Sequence, residues 1–224
     1  MTLPQTISTA SPTGASITRT RPLVARRGVQ ARAWRSVSRS WPPPQGQWTY
    51  DDWLRLPDDA WRYEIIKGVL YMVPGPSTAH QTVCLNLTLA ISSFVRLCSA
   101  GRVFFAPTDV FLPGQQTPVQ PDLLFIADAR TDIIHERGIV GAPDLVVEIA
   151  SPSTLWKDLR IKQPLYQEAG VREYWVVDTV AKTVQVFLLQ DAAYRLTGQW
   201  GAGQTVASQV LKGFEIAVDA LFAV

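Results

Sequence analysis

The chain has 224 residues, 47% hydrophobic and 18% charged, which fits one globular domain with a sizeable core and some extra chain. No apolar run reaches the roughly 18 residues needed to span a membrane. Two cysteines provide neither a disulfide framework nor a zinc set, so a reducing, cytoplasmic compartment is the simplest expectation.

The net charge of +2 hides an asymmetry, because residues 1–50 hold seven Arg and no Lys, Asp or Glu, leaving −5 on the remainder. Residues 1–45 are rich in Ser, Thr, Pro and Arg, and "SWPPPQG" closes them with a stiff, extended stretch. A disordered tail over 1–45 and a folded domain over 46–224 are expected. The tail could be a basic arm for nucleic acid, a targeting peptide, or an extension with no role.

In the folded part, "TYDDWLRLP" (49–57) reads as a short helix capped by Thr49. "RYEIIKGVLYMVP" (62–74) reads as a hairpin turning at Lys67-Gly68. Residues 77–101 form a long amphipathic helix with Ser77 or Thr78 at its start and Gly101 as C-cap. Cys84 and Cys98 lie about 21 Å apart along that helix, too far to bridge. Short strands follow over 102–113, a strand over 120–127, a helical turn over 129–138 and a central strand over 144–151. Residues 157–170 read as a helix ended by Gly170, 173–190 as two strands joined by a tight turn, and the rest as an edge strand and a terminal turn. The order predicts an α/β (α+β) domain: a mixed sheet flanked by helices, with hairpins at both ends.

The central strand, within "APDLVVEIASPST", carries a carboxylate in an apolar run. Alternation puts Asp144, Val146, Glu148 and Ala150 on one face, and Asp122, Leu124 and Ile126 on one face of the 120–127 strand. If the strands are neighbours, Asp122 and Glu148 project side by side about 4.8 Å apart. Two such carboxylates repel unless a cation lies between them or one takes a proton, and Mg²⁺ is the economical cation. The competing reading is a Glu at an exposed strand end. On the 157–170 helix, Leu159, Lys162, Tyr166 and Ala169 share one face, and the apolar members mark it as inward. Lys162 then points at the sheet, or else pairs with Asp158 on a solvated face. Pro164 lies two residues on, so the helix either starts near Ile161 or kinks there.

"RYEIIKGVLYMVPGPSTAH", "QPDLLFI", "DLVVEIASPSTLWKDLRIKQPLYQEAGVREYWVVD" and "KTVQVFLL" together resemble the Uma-type family of putative restriction endonucleases. The resemblance runs from about 47 to 220. It implies the PD-(D/E)XK nuclease fold, with Asp122 and Glu148 holding Mg²⁺ or Mn²⁺ beside the Ile149 carbonyl. The lysine usual two residues after the Glu is replaced by Ala150, and Lys162 matches the position from which the family supplies it. Glu64 matches an acidic residue added from an earlier element. Asp109 and His80 match positions often polar in the family.

The implied activity is metal-dependent hydrolysis of phosphodiester bonds in nucleic acid, DNA first, with Asp158 and Tyr166 as accessory residues. No aromatic-rich basic patch marks a nucleic-acid path along the sequence. An inactive interaction module on the same fold is the alternative, and a glycoside hydrolase using Glu148 and Asp122 is a third class. Cleaving both strands of a duplex would call for a homodimer.

Overall fold

The computed structural model describes residues 41–57, 61–73 and 75–224. The expectation for the basic tail therefore lies outside the described residues as far as residue 40. Residues 41–45, assigned to that tail by composition, lie against the domain. Gln45 Oε1 accepts the Leu70 N–H at 2.8 Å, and its Nε2 donates to the Leu70 carbonyl at 3.2 Å. Trp41 meets Trp48 edge-on, with ring centroids 5.7 Å apart.

The first helix, α1 (Tyr50–Trp53), is held by a capping box. Thr49 accepts from the Asp52 N–H, and Asp52 Oδ2 accepts the Thr49 N–H at 2.9 Å. Strands β1 (Arg62–Ile66) and β2 (Val69–Val73) form the expected hairpin. Lys67 and Gly68 both take positive φ, 50° and 76°, as a two-residue turn between twisted strands requires. Helix α2 (Thr78–Leu97) starts at Ser77, whose Oγ accepts the His80 N–H at 3.2 Å. Its buried stripe is Val83, Leu87, Ile91 and Val95.

Gly101 does not cap α2. Ser99 takes the left-handed conformation at φ 50°, and the Ala100 N–H closes back on the Val95 carbonyl at 3.0 Å. Gly101 instead opens β3 (Gly101–Phe105), where a Cβ would stand 2.0 Å from the Ile126 carbonyl oxygen. Strands β4 (Val110–Phe111) and β5 (Leu123–Ala127) follow. The helical turn expected over 129–138 is confined to a 3₁₀ turn, Asp128–Ile133. It gives way to a hairpin of β6 (Ile134–His135) and β7 (Gly138–Val140), strands too short to show alternation.

Strand β8 (Leu145–Ala150) is buried at all six positions. The helix after it runs in three pieces: α3 (Leu155–Lys157), a π-turn (Asp158–Lys162) and α4 (Gln163–Ala169). Gly170, at φ 85°, ends it as expected. The π-turn accommodates Pro164. A proline N lacks a hydrogen, and its ring clashes with the carbonyl four residues back in a continuing α-helix. Here the Gln163 N–H reaches five residues back to the Asp158 carbonyl, and Pro164 falls in the first turn of a restarted helix, where no hydrogen is required.

Strands β9 (Glu173–Asp178), β10 (Thr183–Gln190) and β11 (Ala193–Trp200) complete the main sheet. A small hairpin of β12 (Thr205–Ala207) and β13 (Glu215–Ala217) leads into α5 (Val218–Leu221).

The main sheet has the order β11-β10-β9-β8-β5-β3. Only β8 and β9 are parallel, and the helix over 155–169 makes the crossover between them. One face packs α2 against Leu123, Phe125, Leu145, Val147 and Trp175. The other packs Leu165 and Tyr166 against Leu124, Val146, Tyr174 and Val176. No helix among the described residues is long and apolar enough to cross a membrane.

Candidate active site

The β5–β8 register pairs Leu123 with Val147 and Leu124 with Val146, so one further step sets Asp122 opposite Glu148. Directly opposed residues of an antiparallel pair share a face. That face carries Val146 and Ala150 and looks toward the 155–169 helix. The two carboxylates are therefore brought together by strand alternation, as the sequence pattern predicts. Asp122 Oδ2 accepts the Ile149 N–H at 2.8 Å and lies 3.2 Å from His80 Nε2. His80 sits in the first turn of α2, and its Nδ1 is buried without a hydrogen-bond partner.

The cation opposite Glu148 is Lys162. Its ammonium donates to Glu148 Oε1 at 2.9 Å and lies 3.1 Å from Glu64 Oε1 and 4.0 Å from Asp158 Oδ1. At 5% exposure it is not in solvent beside Asp158. Tyr166, one turn on, donates its hydroxyl to the same Glu148 Oε1 at 2.6 Å. Glu64, from β1, bridges two lysines, because its Oε2 accepts from Lys157 at 2.7 Å.

Lys157 was not foreseen. On an α-helix, residues five apart lie about 140° apart, so Lys157 and Lys162 would face different ways. The π-turn between them closes that angle and delivers both ammonium groups to Glu64. Pro164 is the sequence signal that could have found it.

The electrostatics are those of a crowded acidic pocket. Burial, Asp122, Asp158 and Glu64 push the Glu148 carboxyl up to about 8, against the opposing pull of Lys162. Burial raises Asp158 in the same way, with Lys162 and Lys157 only partly offsetting it. Burial also works to raise Glu64, but Lys162 and Lys157 outweigh it and hold Glu64 below its ordinary value. Asp122 is likewise held low despite its burial, by His80, by Lys162 and by the Ile149 N–H. Burial would lower the Lys162 pKa, but Glu148, Glu64, Asp158 and Asp122 raise it well above the ordinary lysine value. Burial and Glu148 raise Tyr166 far enough to keep it a hydrogen-bond donor.

Four carboxylates thus face two lysines, and burial together with the neighbouring acids favours the protonated form of Glu148. A divalent cation would offset the same excess negative charge. Among the described residues, no group of three or more His, Cys, Asp or Glu forms a ready metal cage. Mg²⁺ does not require one, since it is commonly held by one or two carboxylates, waters and substrate phosphates. Both hydrogen bonds to Glu148 fall on Oε1, and the Ile149 N–H and His80 both approach Asp122 at Oδ2. This hard oxygen pair fits Mg²⁺ or Mn²⁺.

These residues line a cavity of about 590 Å³. Asp109 also lines it, with its Oδ1 accepting from Gln120 Nε2 at 2.9 Å. The aromatic wall absent from the linear sequence near Glu148 comes from the α1–β1 region, as Trp53, Trp61 and Tyr63.

Comparison with known proteins agrees with this architecture. The Uma2 family model, described as "Putative restriction endonuclease", matches residues 50–219. A crystal structure from Anabaena variabilis ATCC 29413, described as a "putative nuclease belonging to DUF820", superposes with a TM-score of 0.63 at 21% identity. The match covers 78% of this chain and 97% of that one. At that identity the likeness speaks for the fold, a mixed sheet flanked by helices. Comparison with curated proteins gives no match.

Proposed function

Because the chain belongs to the Uma2 family of restriction-endonuclease-like proteins, we propose that it is a metal-dependent endonuclease that hydrolyses phosphodiester bonds in nucleic acid, with DNA as the first candidate. The observation that carries the reading is the Asp122–Glu148 pair on adjacent strands, with Lys162 donating to Glu148 in a buried setting. Asp122 and Glu148 would hold Mg²⁺ or Mn²⁺, which when bound supplies a Lewis acid for the phosphoryl oxygen and makes a coordinated water more acidic.

The chain's own residues divide the remaining work. Lys162 places and polarises the attacking water and offsets the charge that builds on the phosphate. Tyr166 fixes the Glu148 carboxylate, and Glu64 fixes both lysines. His80 and the Ile149 N–H fix Asp122. Two copies of the chain would be needed to cut both strands of a duplex at once.

The test is cleavage of end-labelled DNA by the full chain in Mg²⁺ or Mn²⁺, with calorimetric titration of the same ions. Cleavage and ion binding are expected in the wild type, and loss of both in Asp122→Ala with its fold retained. A wild-type chain that binds neither ion and cuts nothing would leave the inactive interaction module as the surviving reading.

A further inference from the structure

The reacting groups are recessed. Glu148 and Asp158 are 3% exposed, Lys157 and Lys162 5%, and Asp122 7%. They line a concavity of about 590 Å³, the size of an ordinary small-ligand pocket. A duplex is a convex rod whose major groove alone is about 12 Å wide, with its phosphates on the outer surface. Such a rod presents its backbone phosphates to side chains this buried less readily than a flexible single strand does. One strand can enter, because its phosphate and its base turn independently.

The cavity wall suits a base. Trp53 is fixed there: its Nε1 donates to the Tyr63 carbonyl at 3.0 Å, and its ring stacks on Tyr50 at 5.7 Å between centroids. Trp61, 48% exposed, and Leu54, 59% exposed, line the same cavity. An exposed aromatic at the edge of a catalytic pocket offers a stacking platform that accepts any base. The charge balance points the same way. Glu64, Asp109, Asp122, Glu148 and Asp158 line the cavity with Arg62, Lys157 and Lys162, so acids outnumber permanent cations. The cavity's own side chains offer little net phosphate attraction, and stacking would add to it.

We propose that the substrate is a single strand of nucleic acid, with one base stacked on Trp61 beside Leu54 and the scissile phosphate among Asp122, Glu148 and Lys162. This rests on the nuclease reading above and narrows its substrate. It also removes the need for a dimer, since one site cuts one strand.

The experiment compares one sequence as single-stranded DNA, single-stranded RNA and blunt duplex DNA. Cleavage by the full chain is followed in Mg²⁺ and Mn²⁺, and binding by fluorescence anisotropy with Ca²⁺ in their place. At least one of the two single strands should be cut at least tenfold faster than the duplex. Trp61→Ala should weaken binding of that strand by about 5- to 100-fold, as the loss of one base stack does. Trp61→Phe should recover most of it, and Mg²⁺ affinity should be unchanged in both variants. A duplex cut as fast as either single strand overturns the inference and leaves the nuclease reading standing. Single-strand binding that is indifferent to Trp61→Ala overturns the stacking platform. Cleavage of none of the three overturns the nuclease reading, and this inference with it.

Discussion

Replacing Lys162 by Met removes an ammonium with three carboxylates within 4.0 Å and leaves Glu64, Asp122, Glu148 and Asp158 facing Lys157 alone. Breaking a buried ion pair from one side costs about 3–5 kcal/mol when the orphaned charge has no escape. Here it has one, because Glu148 already titrates near 8 and takes up a proton. At pH 6 that carboxyl is neutral in both proteins. The loss is then that of the hydrogen bonds around Lys162, about 1–2 kcal/mol. At higher pH the variant's folded state must keep protons that the wild type releases to the lysine's field. Both proteins keep most of the Glu148 proton up to pH 8, so the destabilisation should widen by only about 0.4 kcal/mol between pH 6 and pH 8, and then by up to ~1.4 kcal/mol per pH unit above it.

The sign is fixed by Glu148. Its folded pKa lies above its ordinary value, so its stabilising contribution is complete at acid pH and is lost as pH rises toward 8. Lys162→Met pushes it further in the same direction. Urea unfolding followed by tryptophan fluorescence at pH 6, 8 and 9 reads the difference directly. The same variant should cut no nucleic acid yet bind Mg²⁺ as well as the wild type or better, because a competing cation is gone. A destabilisation that stays constant or shrinks with pH, or cleavage at the wild-type rate, would refute the reasoning.

Three further outcomes follow from the geometry. Mg²⁺ binding to the wild type should tighten by about tenfold per pH unit below 8 and level off above it, since Glu148 must lose its proton, and calorimetry across that range should show proton release. Tyr166→Phe deletes a buried hydroxyl donor to Glu148 and should cost about 1–2 kcal/mol in urea unfolding, with the cost offset by saturating Mg²⁺ if the ion takes over Glu148. Gly101→Ala drives a Cβ into the Ile126 carbonyl at 2.0 Å with φ at 152°, and the variant should lose more than about 3 kcal/mol or fail to fold.

Much of this arrangement was legible in the sequence because it follows from regular periodicities. The two-residue repeat of a strand put Asp122 and Glu148 on shared faces, and Lys67-Gly68 announced its hairpin. The inward face of Leu159, Lys162 and Tyr166 followed from helical spacing. What escaped notice departs from those repeats. The β6–β7 hairpin has two or three residues per strand, too few to alternate. The role of Gly101 depends on a strand segment 25 residues away, which no local cap rule includes. Lys157 reaches the site only through a turn with a different period. The aromatic wall is assembled from a helix and a hairpin that precede Glu148 and Lys162 by about a hundred positions in the chain.

The π-turn has a genetic consequence. It behaves as a helix carrying one residue too many, bounded by Lys157 on one side and Lys162 on the other. Deleting a single residue between Leu159 and Ile161 would let the segment relax to the ordinary helical repeat. Lys162 and Tyr166 would stay anchored through Glu148, and Lys157, now four residues before Lys162 and about 40° from it on the helix, would still face Glu64. One in-frame codon can therefore be lost from this turn while both lysines stay at the pocket, without any change at the carboxylates.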